Sequence, residues 1–301
     1  MKNNTDVTGH AKWRLLNTLL NLRAFYVTPS PPKDKKGRHY PTVNRHFQLW
    51  IFAARSPIIR AMNVILIHPR EWGQNTASGR LVIADRRHHH LVSVIKPKPG
   101  EWLRVGLLGG PLGMARVVTL DTNSVTLDIT LDTPPPPPLP VTLLLALPRP
   151  KVLRRTLQAC TTLGVKEIFL INSFRVEKSY WQTPFLQQQA LQETLLLGLE
   201  QARDSVLPQV HLRQRFKPFV EDELPALVTG KPAWLAHPTA DAGPCPSGVT
   251  APCLLAVGPE GGFIPYEVEQ LQRAGFACIS LGPRILKVET AVPALLGKLF
   301  L

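Results

Sequence analysis

Between residues 125 and 131 the chain alternates without a break: Val125, Leu127, Ile129 and Leu131 are separated by Thr126, Asp128 and Thr130. A period of two is what a strand with one face in a core and the other in water requires. Segments 102–108 and 114–120 read as further strands, split by the turn signal Gly109-Gly110-Pro111, and the apolar stretch 62–69 opens the series. Together they predict a small antiparallel β-barrel over 62–133. Five consecutive prolines at 134–138 then impose an extended, stiff conformation, so 134–140 reads as a proline-rich linker. After it the period changes. Residues 141–147 form a nearly continuous apolar strand, 150–163 and 184–203 read as helices, and 165–171 as a strand. Short strands follow at 233–237, 253–257 and 277–281, with a helix over 265–274 and an apolar helix over 288–301, where Pro293 is tolerable only in the first turn. Strands apolar on both faces, alternating with helices, predict an α/β domain with a largely parallel sheet over 141–301.

The first 61 residues differ from the rest. They hold eleven Lys and Arg against two Asp and no Glu, whereas the remaining residues are nearly balanced at 24 basic against 19 acidic. The formal charge of +14 is therefore concentrated in a basic extension, and global charge is weak evidence for a polyanionic partner. The segment is expected to be non-native or disordered, with the native chain opening at Met62; an RNA-binding or membrane-surface arm and a targeting segment are the alternatives. No apolar run outside this extension approaches the length of a membrane span. The cysteines at 160, 245, 253 and 278 form no Cys-x-x-Cys pair, which fits a reducing cytoplasm and gives neither a disulfide framework nor a zinc site.

Two loops carry the chemistry. Strand 253–257 runs into Gly258-Pro259-Glu260-Gly261-Gly262, and strand 277–281 runs into Gly282-Pro283-Arg284-Ile285-Leu286-Lys287. Ligands of open α/β sheets bind where strands end in loops, and glycines there let the backbone approach a ligand closely. A plain tight turn explains one such loop equally well. Neither is a dinucleotide fingerprint, and residues 73–80 do not form a P-loop.

The two loops, followed by Val288-Glu289-Thr290-Ala291, resemble the ribosomal small-subunit RNA methyltransferase E type of the SPOUT class, whose hallmark strings read GPEGG and LGPRILRxETA. The likeness extends to Leu235-Ala236-His237-Pro238, to Glu200-Gln201-Ala202-Arg203, to Leu163-Gly164-Val165 and to His90–Lys96, and so runs from about residue 62 to the end. It implies a PUA-like, RNA-binding β-barrel followed by a trefoil-knotted SPOUT domain that binds S-adenosylmethionine and acts as a homodimer. The implied reaction is methylation of N3 of a uridine in 16S rRNA, position 1498 in the usual numbering, in the small ribosomal subunit. A SPOUT methyltransferase acting on another RNA and a non-catalytic RNA-binding or ribosome-assembly protein are the alternatives. Lys96 and Lys287 stand where the family usually has Arg, which keeps the charge and loses the bidentate fork.

By this resemblance the cofactor residues are Leu235, His237, Gly258, Pro259, Glu260, Gly261, Gly262, Leu281, Gly282, Ile285, Leu286 and Thr290. Arg284 is the expected catalytic group, because a guanidinium can stabilise negative charge on a deprotonated base. Glu289 is a base or, more in keeping with a helix start, a capping acid. His90, Lys96, Lys151, Arg154 and Lys287 are assigned to RNA. Lys151, Arg154 and Arg155 share one helical face that could grip phosphate or be merely solvated. His88, His89 and His90 are read as strand residues pointing to alternate faces, so no metal site is expected from them. No cysteine lies in either loop, so a thiolate mechanism has no candidate.

Overall fold

The computed structural model describes residues 63–73 and 76–301; the basic extension and its expected disorder lie outside them. The amino-terminal lobe is a five-stranded sheet in the order β1-β3-β4-β5-β2, formed by Ile65–Ile67, Trp102–Leu107, Leu112–Leu120, Val125–Thr133 and Ser78–Ile83 respectively. Val125, Leu127, Ile129 and Leu131 of β5 are buried, as their alternation predicts, and meet Leu103, Val105, Ala115, Val117 and Trp72 in one core. Two features depart from the antiparallel barrel. β1 pairs with β3 in parallel, and β1 and β2 remain as edges, so the sheet is a half-barrel.

The histidine triplet corrects the strand reading. Arg86–His90 is helical, capped by the Asp85 side chain on the amide of Arg87, and continues as a π-helical turn, Leu91–Ile95, that Lys96 ends with φ +50°. Helical geometry turns His88 inward, where its Nε2 lies 2.9 Å from the Asp121 carbonyl, and leaves His89 and His90 exposed.

Seven parallel strands build the second lobe in the order β10-β12-β9-β11-β6-β7-β8. They are Gly243–Pro244, Phe276–Ser280, Ala233–Ala236, Cys253–Val257, Val141–Ala146, Glu167–Ile171 and Gln209–Arg213. All five residues of β11 are buried, the signature of a central strand covered on both faces. Helix α1, Pro150–Thr162, turns Leu153, Thr156, Leu157, Cys160 and Thr161 inward and packs against α2, Gln188–Ala202. The two backbones can come this close because position 198 is glycine: a Cβ there would stand 2.7 Å from that of Thr161. Pro184 does not start α2; it opens a separate 3-10 turn, Pro184–Leu186, capped by Thr183. Helices α3, Pro265–Arg273, and α4, Val288–Phe300, complete the lobe. Pro293 lies in the second turn of α4, beyond the expected position, so one helical bond to the Glu289 carbonyl is missing.

The lobes pack directly on each other. The amide of Val64 donates to the Glu200 carbonyl at 2.9 Å, Arg86 pairs with the Glu200 carboxylate at 2.9 Å, and Val64, Leu66 and Leu199 share an apolar cluster. The linker is docked rather than free, its Leu139 amide donating to Gly164.

Candidate functional site

The carboxyl ends of β9, β11 and β12 lie side by side, and the loops leaving them enclose a cavity of about 310 Å³. One wall is the turn Pro259–Gly262, closed by the Gly262 amide on the Pro259 carbonyl at 2.8 Å. Glycine is needed twice here. Gly262 has φ +71°, and a Cβ on Gly258 would lie 3.2 Å from the Gly262 Cα and the Phe263 amide nitrogen. A second wall is the loop after β12, where the Ser280 hydroxyl takes the Gly282 amide at 3.1 Å and Gly282 has φ +119°. His237 and Pro238 supply the third, and Val288, Ala291 and Leu295 of α4 form an apolar floor.

Of the residues expected at a cofactor, His237, Gly258, Pro259, Glu260, Gly261, Gly262, Leu281, Gly282, Ile285 and Leu286 line this cavity, and Arg284 lines it with them. Leu235 and Thr290 do not: Leu235 is wholly buried inside β9, one register step before the lining begins, and Thr290 is exposed on α4. Glu289 sits in the first turn of α4, off the lining, and its carboxylate accepts no hydrogen bond among the described residues. Lys287 caps α4 through its backbone position, with its side chain exposed. Glu260 turns toward α1, where its Oε1 accepts the Arg149 amide at 3.0 Å, tying the glycine turn to the helix that carries Lys151, Arg154 and Arg155. Those three cations are exposed on the face opposite the buried residues of α1; His90 and Lys96 belong to the other lobe and are also exposed.

Arg175 was invisible to motif reading. It lies on the loop after β7, and its guanidinium donates to the carbonyl of Gly261. A Cβ on Gly261 would meet the Arg175 side chain at 2.9 Å. The same charge reaches His237, whose imidazole is held below its ordinary value first by burial and then by Arg175. No periodicity marks such a residue; only the adjacency of β7, β6 and β11 brings its loop to the glycine turn. Cysteine chemistry gains no support: burial pushes all four thiols up, Cys160 to about 12 and Cys253 to about 11.

Comparison with known proteins agrees with this architecture. The chain is similar to the ribosomal RNA small subunit methyltransferase E of Treponema pallidum, 27% identical over 239 residues that span 77% of this chain and 88% of the relative. The protein of that name from Synechocystis is 28% identical over 70% of this chain and 69% of its own length. Among solved structures, the Neisseria gonorrhoeae ribosomal RNA small subunit methyltransferase E bound to S-adenosyl methionine superposes with a TM-score of 0.64 at 22% identity, covering 79% of this chain and 96% of that one. A Legionella pneumophila methyltransferase in complex with the same cofactor gives 0.61 at 21% identity over 78% and 96%. At these identities the superpositions establish a shared fold. The family model described as the RNA methyltransferase domain matches residues 135–299, the lobe that holds the cavity, and the chain belongs to that family.

Proposed function

We propose that the protein transfers a methyl group from S-adenosylmethionine to N3 of a uridine in 16S rRNA of the small ribosomal subunit, at position 1498. The observation that carries this reading is the convergence of the Gly258–Gly262 turn, the 281–286 loop and His237 on one cavity at the carboxyl ends of three adjacent parallel strands. The residues present suit the cofactor. Two glycine-bearing walls offer main-chain donors and acceptors, Val257, Ile279, Val288 and Leu295 offer apolar surface for a base, and no carboxylate other than Glu260 lines the space. The relatives' names and the cofactor bound in two structures of this fold support the same assignment.

When bound, S-adenosylmethionine supplies an electrophilic methyl on a sulfonium. The chain's own part is alignment and charge. The two pinned loops would hold the cofactor and limit its orientation toward the acceptor nitrogen, and orientation supplies much of the acceleration in such transfers. Arg284 reaches the cavity from the exposed segment before α4 and stabilises the negative charge left on the uracil when N3 gives its proton to solvent. His237, held neutral at neutral pH chiefly by burial, would add no further positive charge to a cavity that takes a cationic cofactor. The half-barrel with His90 and Lys96, and α1 with Lys151 and Arg154, grip the RNA backbone, joined by Lys287. Ile285, 90% exposed, is apolar surface for the second subunit of a homodimer. The trefoil knot would thread α4 through the loops that wall the cavity.

The test is direct. Purified protein is titrated with S-adenosylmethionine by calorimetry, then incubated with small subunits from cells lacking the gene, and modified uridines are mapped. Cofactor binding with a single new N3-methyluridine is expected; binding with no methylation, or a methyl group on another RNA, removes the assignment. Sedimentation at micromolar concentration should give the mass of two chains.

A further inference from the structure

We propose that Phe174 is a stacking platform for an unpaired RNA base, fixed through its backbone by Glu267 and next in sequence to Arg175, which bonds the cavity wall; this rests on the RNA-methylating reading of the cavity.

Phe174 is 78% exposed, while its neighbours Ser173 and Val176 are 2% and 7% exposed. Ser173 and Val176 thus anchor the loop on either side of two exposed side chains, Phe174 and Arg175. The backbone beneath it is fixed. Its amide donates to Oε1 of Glu267 at 2.7 Å, the Val176 amide donates to the Ser173 carbonyl at 3.0 Å, and the Trp181 indole donates to Asn172 at 2.9 Å. Glu267 is itself 3% exposed. A ring held out by a rigid loop loses little conformational freedom on gaining a partner, the property that makes aromatics effective binding anchors.

Its surroundings select the partner. The next residue, Arg175, bonds the Gly261 carbonyl in the cavity wall. Across the glycine turn lies the start of α1, with Lys151, Arg154 and Arg155 exposed. Neither these three nor Arg175 pairs with a carboxylate among the described residues. Glu260 accepts the Arg149 amide, and Glu177 accepts the Tyr180 hydroxyl at 2.8 Å. An exposed ring beside Arg175, with further cations on α1 beyond the glycine turn, complements a chain that presents flat bases and phosphates together, and single-stranded RNA is such a chain. Every base has a π-face, so the platform serves a nucleotide at or beside the one methylated.

The variants Phe174→Ala and Phe174→Trp test this in the full chain. Phe174→Ala should leave the calorimetric Kd for S-adenosylmethionine within twofold and raise KM for small subunits roughly 5- to 150-fold, the range set by base–aromatic stacking, with kcat little changed. Phe174→Trp should restore KM, and its added emission should be quenched by a single-stranded uridine-containing oligonucleotide and not by a duplex. An unchanged KM, absent quenching, or a fall in sedimenting mass with Phe174→Ala, which would make the ring a contact between copies, overturns the platform. Quenching needs no methyl transfer, so a wild-type protein that methylates nothing while Phe174→Trp is quenched would sink the proposed reaction and leave the platform standing.

Discussion

Glu267 accepts the backbone amide of Phe174 at 2.7 Å through one carboxylate oxygen and that of Ile264 at 3.0 Å through the other, although Phe174 lies 93 positions away in sequence. A single buried side chain on α3 thereby fastens the loop after β7 to the segment that leaves the glycine turn.

Removing that fastening should be costly. Glu267→Ala leaves two amides without their charged acceptor, a loss of about 3 kcal/mol, read as a lower urea midpoint. Glu267→Gln keeps an oxygen for one amide and should fall between. An alanine variant as stable as wild type would mean that the amides find other partners.

Gly261→Val should weaken S-adenosylmethionine binding, and the steric cause is local. The new side chain meets Arg175 at 2.9 Å before any ligand enters. In Gly261→Ala combined with Arg175→Ala, the cofactor Kd is expected to match that of Arg175→Ala alone. If the double variant still fails to bind while Arg175→Ala binds, the obstruction is to the cofactor itself.

Arg284 lines the cavity on a loop exposed to solvent. Arg284→Ala should keep cofactor affinity and lower single-turnover methylation by roughly a hundredfold or more. Arg284→Gln should behave as alanine does, and Arg284→Lys should recover part of the rate without the planar fork. Weakened cofactor binding with intact single-turnover methylation at saturating cofactor would reassign the arginine to shaping its loop.

The depressed imidazole of His237 gives a pH dependence with a defined sign. Its folded value lies below the ordinary 6.5, so the ring is neutral at neutral pH and gains charge only as pH falls through that lower value. Cofactor affinity should therefore hold above pH 6.5 and decline in mild acid. Arg175 is the smaller of the two causes, so Arg175→Ala should move the His237 titration, followed by NMR, upward without passing 6.5. An unmoved resonance would separate the two residues.

Most strands of both lobes could be read from pattern, the mostly exposed β2 excepted: the alternation in β5 and the unbroken apolar run in β6 each report burial of one face or of two. What escaped was set by tertiary contact. β8, half-buried at the sheet edge, and β10, two residues long, carry too little periodicity to be seen. The histidine triplet misled because three polar residues have no period, and the Asp85 cap is visible only beside the helix it starts. In the site, motif strings located the glycine turn and the 281–286 loop, while Leu235 and Thr290 lie off the cavity lining, since a motif marks a neighbourhood and not the direction of a side chain. Arg175 and Phe174 belong to no motif and acquire their positions from strand order alone.

The floor of the cavity comes from Val288, Ala291 and Leu295, which follow every strand of both lobes in the chain. A nascent chain can build the half-barrel and pair β6 with β7 while still attached to its ribosome, but it cannot close the cavity until α4 has emerged. Competence to hold a ligand there is thus withheld until the segment carrying α4 has left the exit tunnel, and a chain cut short before α4 would lack the cavity floor.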